Sequence, residues 1–225
     1  KSFLMTYLIV LFMVYPIGKL VVLPIYRLWL GKVTGIDNIP KNESFVIAAN
    51  HASYYDALLL HSIIVPRLDK KIHALVNSYY WKPLFPKIIL NWGECLPVHI
   101  SKNPGLKNKE TFKKAKKYLK NKELIQIFPE GTRSYDGNLK KAYNGAAKLA
   151  LESKVAVLPI GIIGSNKVLP KGKIFPRFKR CEVKIGKLMY FKKYYGKENN
   201  TKILKRVTAT IMKEIAKLIG KKYNH

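Results

Sequence analysis

The chain has 225 residues, 48% of them hydrophobic, which is enough for one domain with a real core and excludes a disordered tail. Lys and Arg number 42 against 13 Asp and Glu, a formal net charge of +29, so the surface seeks polyanions, either nucleic acid or anionic lipid. Cys95 and Cys181 sit in apolar runs without metal-ligand spacing and read as reduced, buried thiols, with a single disulfide between them as the alternative.

The chain opens with an apolar stretch. Residues 2–18 carry no charge, Lys19 interrupts, and the run resumes from Leu20 to Tyr26. Pro16, Gly18 and Pro24 break a continuous helix. Tyr7, Tyr15, Lys19, Tyr26, Arg27 and Trp29 suit a boundary between water and lipid. The spacing predicts a membrane-associated helical pair over residues 1–30, dipping into the bilayer. One spanning helix is the alternative, and a signal segment is disfavoured because no small-x-small cleavage site follows.

Beyond residue 30, short apolar runs alternate with helical periodicity. Strands are predicted over 32–36, 44–49, 72–76, 95–100, 124–128, 156–162 and 182–188, and helices over 54–65, 80–90, 105–121, 140–153 and 201–220. This alternation predicts an α/β fold over residues 31–225, a single domain whose mixed, largely parallel sheet is flanked by helices. In helix 105–121, Phe112, Ala115 and Leu119 share one face and lysines fill the rest, as on a solvated surface helix.

Two predicted strand ends carry chemistry. The strand over 44–49 ends at Asn50-His51, with Ser53 as a helix cap and Asp56 in the first helical turn. Open α/β sheets bind ligands at strand carboxyl ends. A turn there brings the Asp56 carboxylate back to the His51 imidazole, fixing its tautomer and leaving the other ring nitrogen as a general base. The competing reading is a surface histidine beside an aspartate that stabilises a helix amino terminus. The strand over 124–128 runs into Phe128-Pro129-Glu130-Gly131-Thr132-Arg133-Ser134. Gly131 permits a tight turn, Thr132 donates from hydroxyl and amide, and Arg133 offers a planar fork suited to phosphate. Glu130 is placed to bond a substrate hydroxyl or to orient Arg133. The competing reading is an ordinary turn with a local ion pair.

Together, Asn50-His51 with Asp56 and the stretch Phe128–Ser134 resemble the glycerolipid acyltransferase family of the 1-acylglycerol-3-phosphate acyltransferase type. That family carries Asn-His-x4-Asp and then Phe-Pro-Glu-Gly-Thr-Arg-Ser, and both are complete here. The resemblance implies acyl transfer from acyl-CoA or an acyl carrier protein to the free hydroxyl of 1-acylglycerol 3-phosphate, at a membrane, with the domain facing the cytoplasm. It implies His51 and Asp56 as catalytic residues and Glu130, Gly131, Thr132 and Arg133 as substrate-binding residues. No bound cofactor or metal is expected, since no clustered ligand set occurs.

A third family block departs. Where the family has Gly-x-Ile-Pro-Val-x-Arg, this chain reads Gly93-Glu94-Cys95-Leu96-Pro97-Val98-His99-Ile100, with Ile100 at the arginine position. Lys102 and Arg67 are candidates to restore the charge. Tyr143-Asn144-Gly145-Ala146 and Val157–Gly161 resemble two further blocks. Glycerol 3-phosphate or another lysophospholipid is the alternative acceptor. A different class, a basic membrane- or nucleic-acid-binding protein without catalysis, fits the charge. The chain shows no recognition helix, zinc pattern or RNP-like strand, so nucleic acid is not expected as a partner.

Overall fold

The strand β2 (Phe45–Ala49) is buried along its whole length. Its odd residues Phe45, Ile47 and Ala49 face one core and its even residues Val46 and Ala48 face another. Such a strand, apolar on both faces, belongs in the middle of a sheet covered on both sides. In a computed structural model, which describes Tyr15 and residues 18–100, 105–173 and 175–225, β2 lies at the centre of a sheet of seven strands.

The other strands are β1 (Leu30–Thr34), β3 (Ile72–Asn77), β4 (Leu96–Val98), β5 (Leu124–Ile127), β6 (Ala156–Ile163) and β7 (Cys181–Ile185), in the order β1-β7-β6-β2-β5-β3-β4. The five strands from β6 to β4 run parallel. β7 pairs antiparallel with β6 and parallel with β1, so the sheet is mixed, as expected. One face is covered by α1 (Leu23–Arg27) and α2 (Tyr55–Leu68). The other is covered by α4 (Gly105–Lys120), α5 (Gly145–Ser153) and α7 (Thr201–Leu218). α3 (Leu84–Trp92) precedes the edge strand β4, and α6 (Ser165–Val168) is a single turn after β6.

Most of the predicted helical pair over 1–30 lies outside the described residues. The described part is a π turn (Gly18–Val22) running into α1, and β1 already begins at Leu30. This part is tied to the domain core: Tyr26 stacks on Tyr55 at 5.5 Å, and the Tyr55 hydroxyl donates to the Tyr26 carbonyl. Among the described residues no helix is long and apolar enough to cross a membrane.

The helix predicted over 140–153 begins only at Gly145. The residues before it give their backbone donors elsewhere: the Lys140 N–H to Glu130 and the Tyr143 N–H to the Pro129 carbonyl. Likewise the helix predicted from residue 80 starts at Leu84, after a 3-10 turn (Ser78–Trp81) and the extended Pro83.

Candidate active site

β2 and β5 are neighbours in register, Val46 opposite Ile125 and Ala48 opposite Ile127. Their carboxyl ends therefore deliver Asn50-His51 and Phe128–Ser134 to one place, although His51 and Glu130 stand 79 residues apart in the chain. Asn50 extends the sheet with its side chain. Its amide donates to the Ile162 carbonyl at 2.8 Å, and its carbonyl accepts from the Ile162 N–H at 2.7 Å.

The turn after Asn50 closes around Asp56. Asp56 Oδ2 accepts from the N–H groups of Ala52 and Ser53 at 2.8 and 2.7 Å, and it lies 2.8 Å from His51 Nδ1. The carboxylate is wholly buried, and its Oδ1 has no hydrogen-bond partner among the described residues. A carboxylate fixed this way takes the hydrogen of Nδ1, which sets the tautomer and the orientation of the ring. The His51 ring stacks on Phe128, with centroids 4.0 Å apart and planes 12° from parallel. Its Nε2 carries no hydrogen bond among the described residues, and the side chain is 18% exposed. The ring is thus fixed at one nitrogen, supported on one face and open at the other nitrogen. Ser53, expected as the helix cap, lies one residue before the boundary residue Tyr54. Its hydroxyl accepts from the Tyr55 N–H and donates to the Leu169 carbonyl.

Glu130 fastens the two loops together. Its Oε1 accepts from the His51 N–H at 2.9 Å and its Oε2 from the Lys140 N–H at 2.7 Å. The Ser134 N–H adds a bond to the His51 carbonyl at 2.8 Å. Burial pushes the Glu130 carboxyl up to about 7, against the lowering effect of those two N–H donors. Among the described residues, the partners of the two Glu130 oxygens are backbone N–H groups of the loops behind the site.

Gly131 has φ +65°, and a Cβ there would stand 2.9 Å from the Tyr143 ring, so both conformation and space call for glycine. Its N–H closes the turn onto the Phe128 carbonyl. Thr132 is exposed at the tip, and its N–H has no hydrogen bond among the described residues. Arg133 is largely buried, with its guanidinium carbon 3.3 Å from the centroid of the Tyr54 ring and Nη1 without a hydrogen bond among the described residues. Tyr54 in turn shares a hydrogen bond of 2.9 Å with the Tyr80 hydroxyl. Sequence reading did not single out Tyr54, Tyr80 or the support role of Phe128. Only the aromatic residues beside each motif hinted at them.

Ile100 does reach the site, since its Cδ1 would lie 3.5 Å from a Cβ on Gly131. An alkyl group thus stands where the family pattern calls for a cation. Arg67 does not replace it. It lies in the last turn of α2, about 18 Å along the helix from Tyr55, and pairs with Asp37 at 2.9 Å. Lys102 lies outside the described residues. Among the described residues no group of His, Cys, Asp and Glu is arranged to hold a metal ion.

Residues 31–163 match the family Acyltransferase. The chain is 28% identical over 151 residues to the chloroplastic 1-acyl-sn-glycerol-3-phosphate acyltransferase LPAT1 of Arabidopsis thaliana, covering 66% of this chain and 40% of that protein. It is 27% identical over 185 residues to the 1-acyl-sn-glycerol-3-phosphate acyltransferase of Borreliella burgdorferi, covering 79% of this chain and 71% of that one. Among solved structures, the 1-acyl-sn-glycerophosphate (LPA) acyltransferase PlsC from Thermotoga maritima aligns with a TM-score of 0.64 over 91% of this chain and 82% of its own, at 21% identity, a likeness of fold. The chain therefore spans well under half of the plant relative and about 70% of the bacterial one. With more than half of its length matched, the chain belongs to the Acyltransferase family.

Proposed function

We propose that this protein transfers a fatty acyl group from an acyl thioester to the free hydroxyl of 1-acylglycerol 3-phosphate, giving phosphatidic acid. The observation that carries the chemistry is the His51 ring, held at Nδ1 by Asp56 and without a hydrogen bond at Nε2 among the described residues. In this reading Nε2 takes the hydroxyl proton as the oxygen attacks the thioester carbon. The buried Asp56 carboxylate supports the imidazolium that forms. The tetrahedral oxyanion collapses, the carbon–sulfur bond breaks, and the departing thiolate takes the proton from Nε2. No side chain becomes acylated: Cys95 and Cys181 lie in neither motif, and burial pushes their thiols up to about 11 and about 12, far from a reactive thiolate. The Gly131 N–H is already bonded, so the exposed Thr132, whose N–H has no hydrogen bond among the described residues, offers an amide at the tip of the turn to the oxyanion.

Arg133 meets the acceptor phosphate. A buried guanidinium nitrogen without a partner is costly unless an anion completes it, and the Tyr54 ring holds the fork in plane. The names of the relatives favour lysophosphatidate over other acceptors. The donor is acyl-CoA or an acylated carrier protein, both anionic and both suited to the +29 charge. The enzyme works at a membrane whose phospholipids hold its acceptor.

A radiolabelled acyl-transfer assay tests this directly, with lysophosphatidate, glycerol 3-phosphate and lysophosphatidylcholine as acceptors and acyl-CoA and acyl carrier protein as donors. Labelled phosphatidic acid from lysophosphatidate is the expected product. Transfer to glycerol 3-phosphate alone, or to none of the three, would overturn the assignment.

A further inference from the structure

Between the Phe128–Ser134 turn and α5, residues 135–143 form neither helix nor strand. A loop with no ladder of its own needs side chains to satisfy and fix its backbone. This one is fastened to the turn at several points. The Lys140 N–H donates to Glu130, and Lys140 Nζ donates to the Arg133 carbonyl at 3.1 Å. The Tyr143 N–H donates to the Pro129 carbonyl at 2.8 Å, and the Tyr143 ring packs against Gly131. Asp136 takes the Ser134 hydroxyl at 3.0 Å. The backbone on which Arg133 stands is thus held partly by the loop.

The loop is held in turn by a segment from the far end of α7. That helix ends at Leu218, and Gly220, at φ +68°, turns the chain out of it. The N–H groups of Gly220 and Lys221 return to the carbonyls of Lys217 and Ala216. Three odd-numbered residues then each bond the loop. Lys221 Nζ donates to the Gly137 carbonyl at 2.8 Å and to Asn138 Oδ1 at 2.7 Å. The Tyr223 hydroxyl accepts from the Ala142 N–H at 3.1 Å. His225 Nε2 donates to the Leu139 carbonyl at 3.3 Å. The rings of Tyr223 and His225 meet edge to face, with centroids 5.3 Å apart. Leu139 is buried and Tyr223 half-buried against the same core, so the contact has an apolar base as well. Asn138 passes the hold inward, since its N–H and its amide both donate to Asp136.

We propose that Lys221 and Tyr223 are positioning residues of the acceptor site: they brace the loop 135–143, and through it they keep the Arg133 backbone and the Tyr143 ring where the acceptor phosphate is met. The acceptor role rests on the proposed acyl transfer; the brace does not.

The test uses the full chain carrying Tyr223→Phe, which keeps the ring and removes only the accepting oxygen, Lys221→Met, and the two combined. Lys222→Met, from the even-numbered side of the segment, controls for lost charge. Affinity for a short-chain, water-soluble lysophosphatidate is read by calorimetry with no acyl donor present. Since one typical hydrogen bond shifts an equilibrium about fivefold, each single variant should bind about threefold more weakly and the double variant about tenfold. Lys222→Met should bind like the parent. Amide hydrogen exchange within the loop should be about tenfold faster in the double variant. In acyl transfer, KM for lysophosphatidate should rise by the same factor as the affinity falls, with kcat and the KM of the donor within about twofold of the parent. A merely structural role would reduce the fraction of active protein, which lowers apparent kcat and leaves both KM values in place. That outcome would overturn the proposal, and so would unchanged affinity in the double variant. A parent chain that binds no lysophosphatidate would instead sink the acyl-transfer reading, and with it the acceptor role, while loop exchange would still report the brace.

Discussion

Two histidines in this chain have nearly the same surroundings and opposite prospects. His51 pairs with Asp56 and stacks on Phe128. His73 lies 3.1 Å from a Glu123 carboxylate oxygen and stacks on Tyr118, with centroids 3.6 Å apart and planes 3° from parallel. The difference is the second ring nitrogen. His73 is wholly buried, with Nδ1 committed to the Glu94 carbonyl at 3.1 Å. His51 keeps Nε2 unbonded among the described residues and opens to solvent. A carboxylate partner and a stacked ring therefore do not by themselves mark a base; an unspent nitrogen at an opening does.

The comparison can be broken at its partners. Asp56→Asn keeps the shape of the side chain but removes the charge that supports the imidazolium. Turnover should fall about 10²–10³-fold in the acyl-transfer assay while circular dichroism stays unchanged. His73→Ala should do the reverse. It removes a packed ring and strands the Glu123 carboxylate and the Glu94 carbonyl, at a cost of about 3 kcal/mol, or roughly 10 °C in Tm. The turnover of the molecules that remain folded should be close to that of the parent.

Arg133→Ala should raise KM for lysophosphatidate about 10–100-fold with a smaller change in kcat, as loss of a charge-assisted contact requires. An unchanged KM would leave phosphate recognition to a residue outside this turn. The smallest effect concerns Glu130. Its folded carboxyl titrates near 7, above the ordinary carboxylate value of 4.5, so the fold binds the proton more tightly than the unfolded chain does. The stability this gives is complete below pH 4.5 and is lost as pH rises through about 7. Glu130→Gln should erase that slope in a Tm series against pH, and at pH 5 it should destabilise the fold by about 1–2 kcal/mol through the loss of one acceptor.

Much of the fold is legible in the sequence because its central strands are apolar on both faces and their lengths are short. The five long helices predicted are all present, with starts displaced where backbone donors are drawn elsewhere. Lys140 and Tyr143 carry a helix-like pattern, yet their N–H groups serve Glu130 and Pro129 across the site. Local periodicity has no way to show a bond to a loop from another strand. The antiparallel setting of β7 is hidden for the same reason, since Cys181–Ile185 reads alike in either direction.

The candidate site is legible in part. The meeting of His51 with Asp56 follows from five residues of local chain, so the sequence suffices to suggest it. The stacking of Arg133 on Tyr54 and of His51 on Phe128 depends on β2 lying beside β5, a fact of topology. Glu130 shows the limit most plainly. Its residue type suggests a ligand contact, and its position makes it a bridge between two loops.

The most direct test of the central claim is acyl transfer to lysophosphatidate by His51→Ala protein whose Tm matches that of the parent. Removing the His51 ring, whose Nε2 is unbonded among the described residues, should lower turnover about 10³-fold or more, with KM for the acceptor nearly unchanged. Turnover within about tenfold of the parent would contradict the account and move the base to another group.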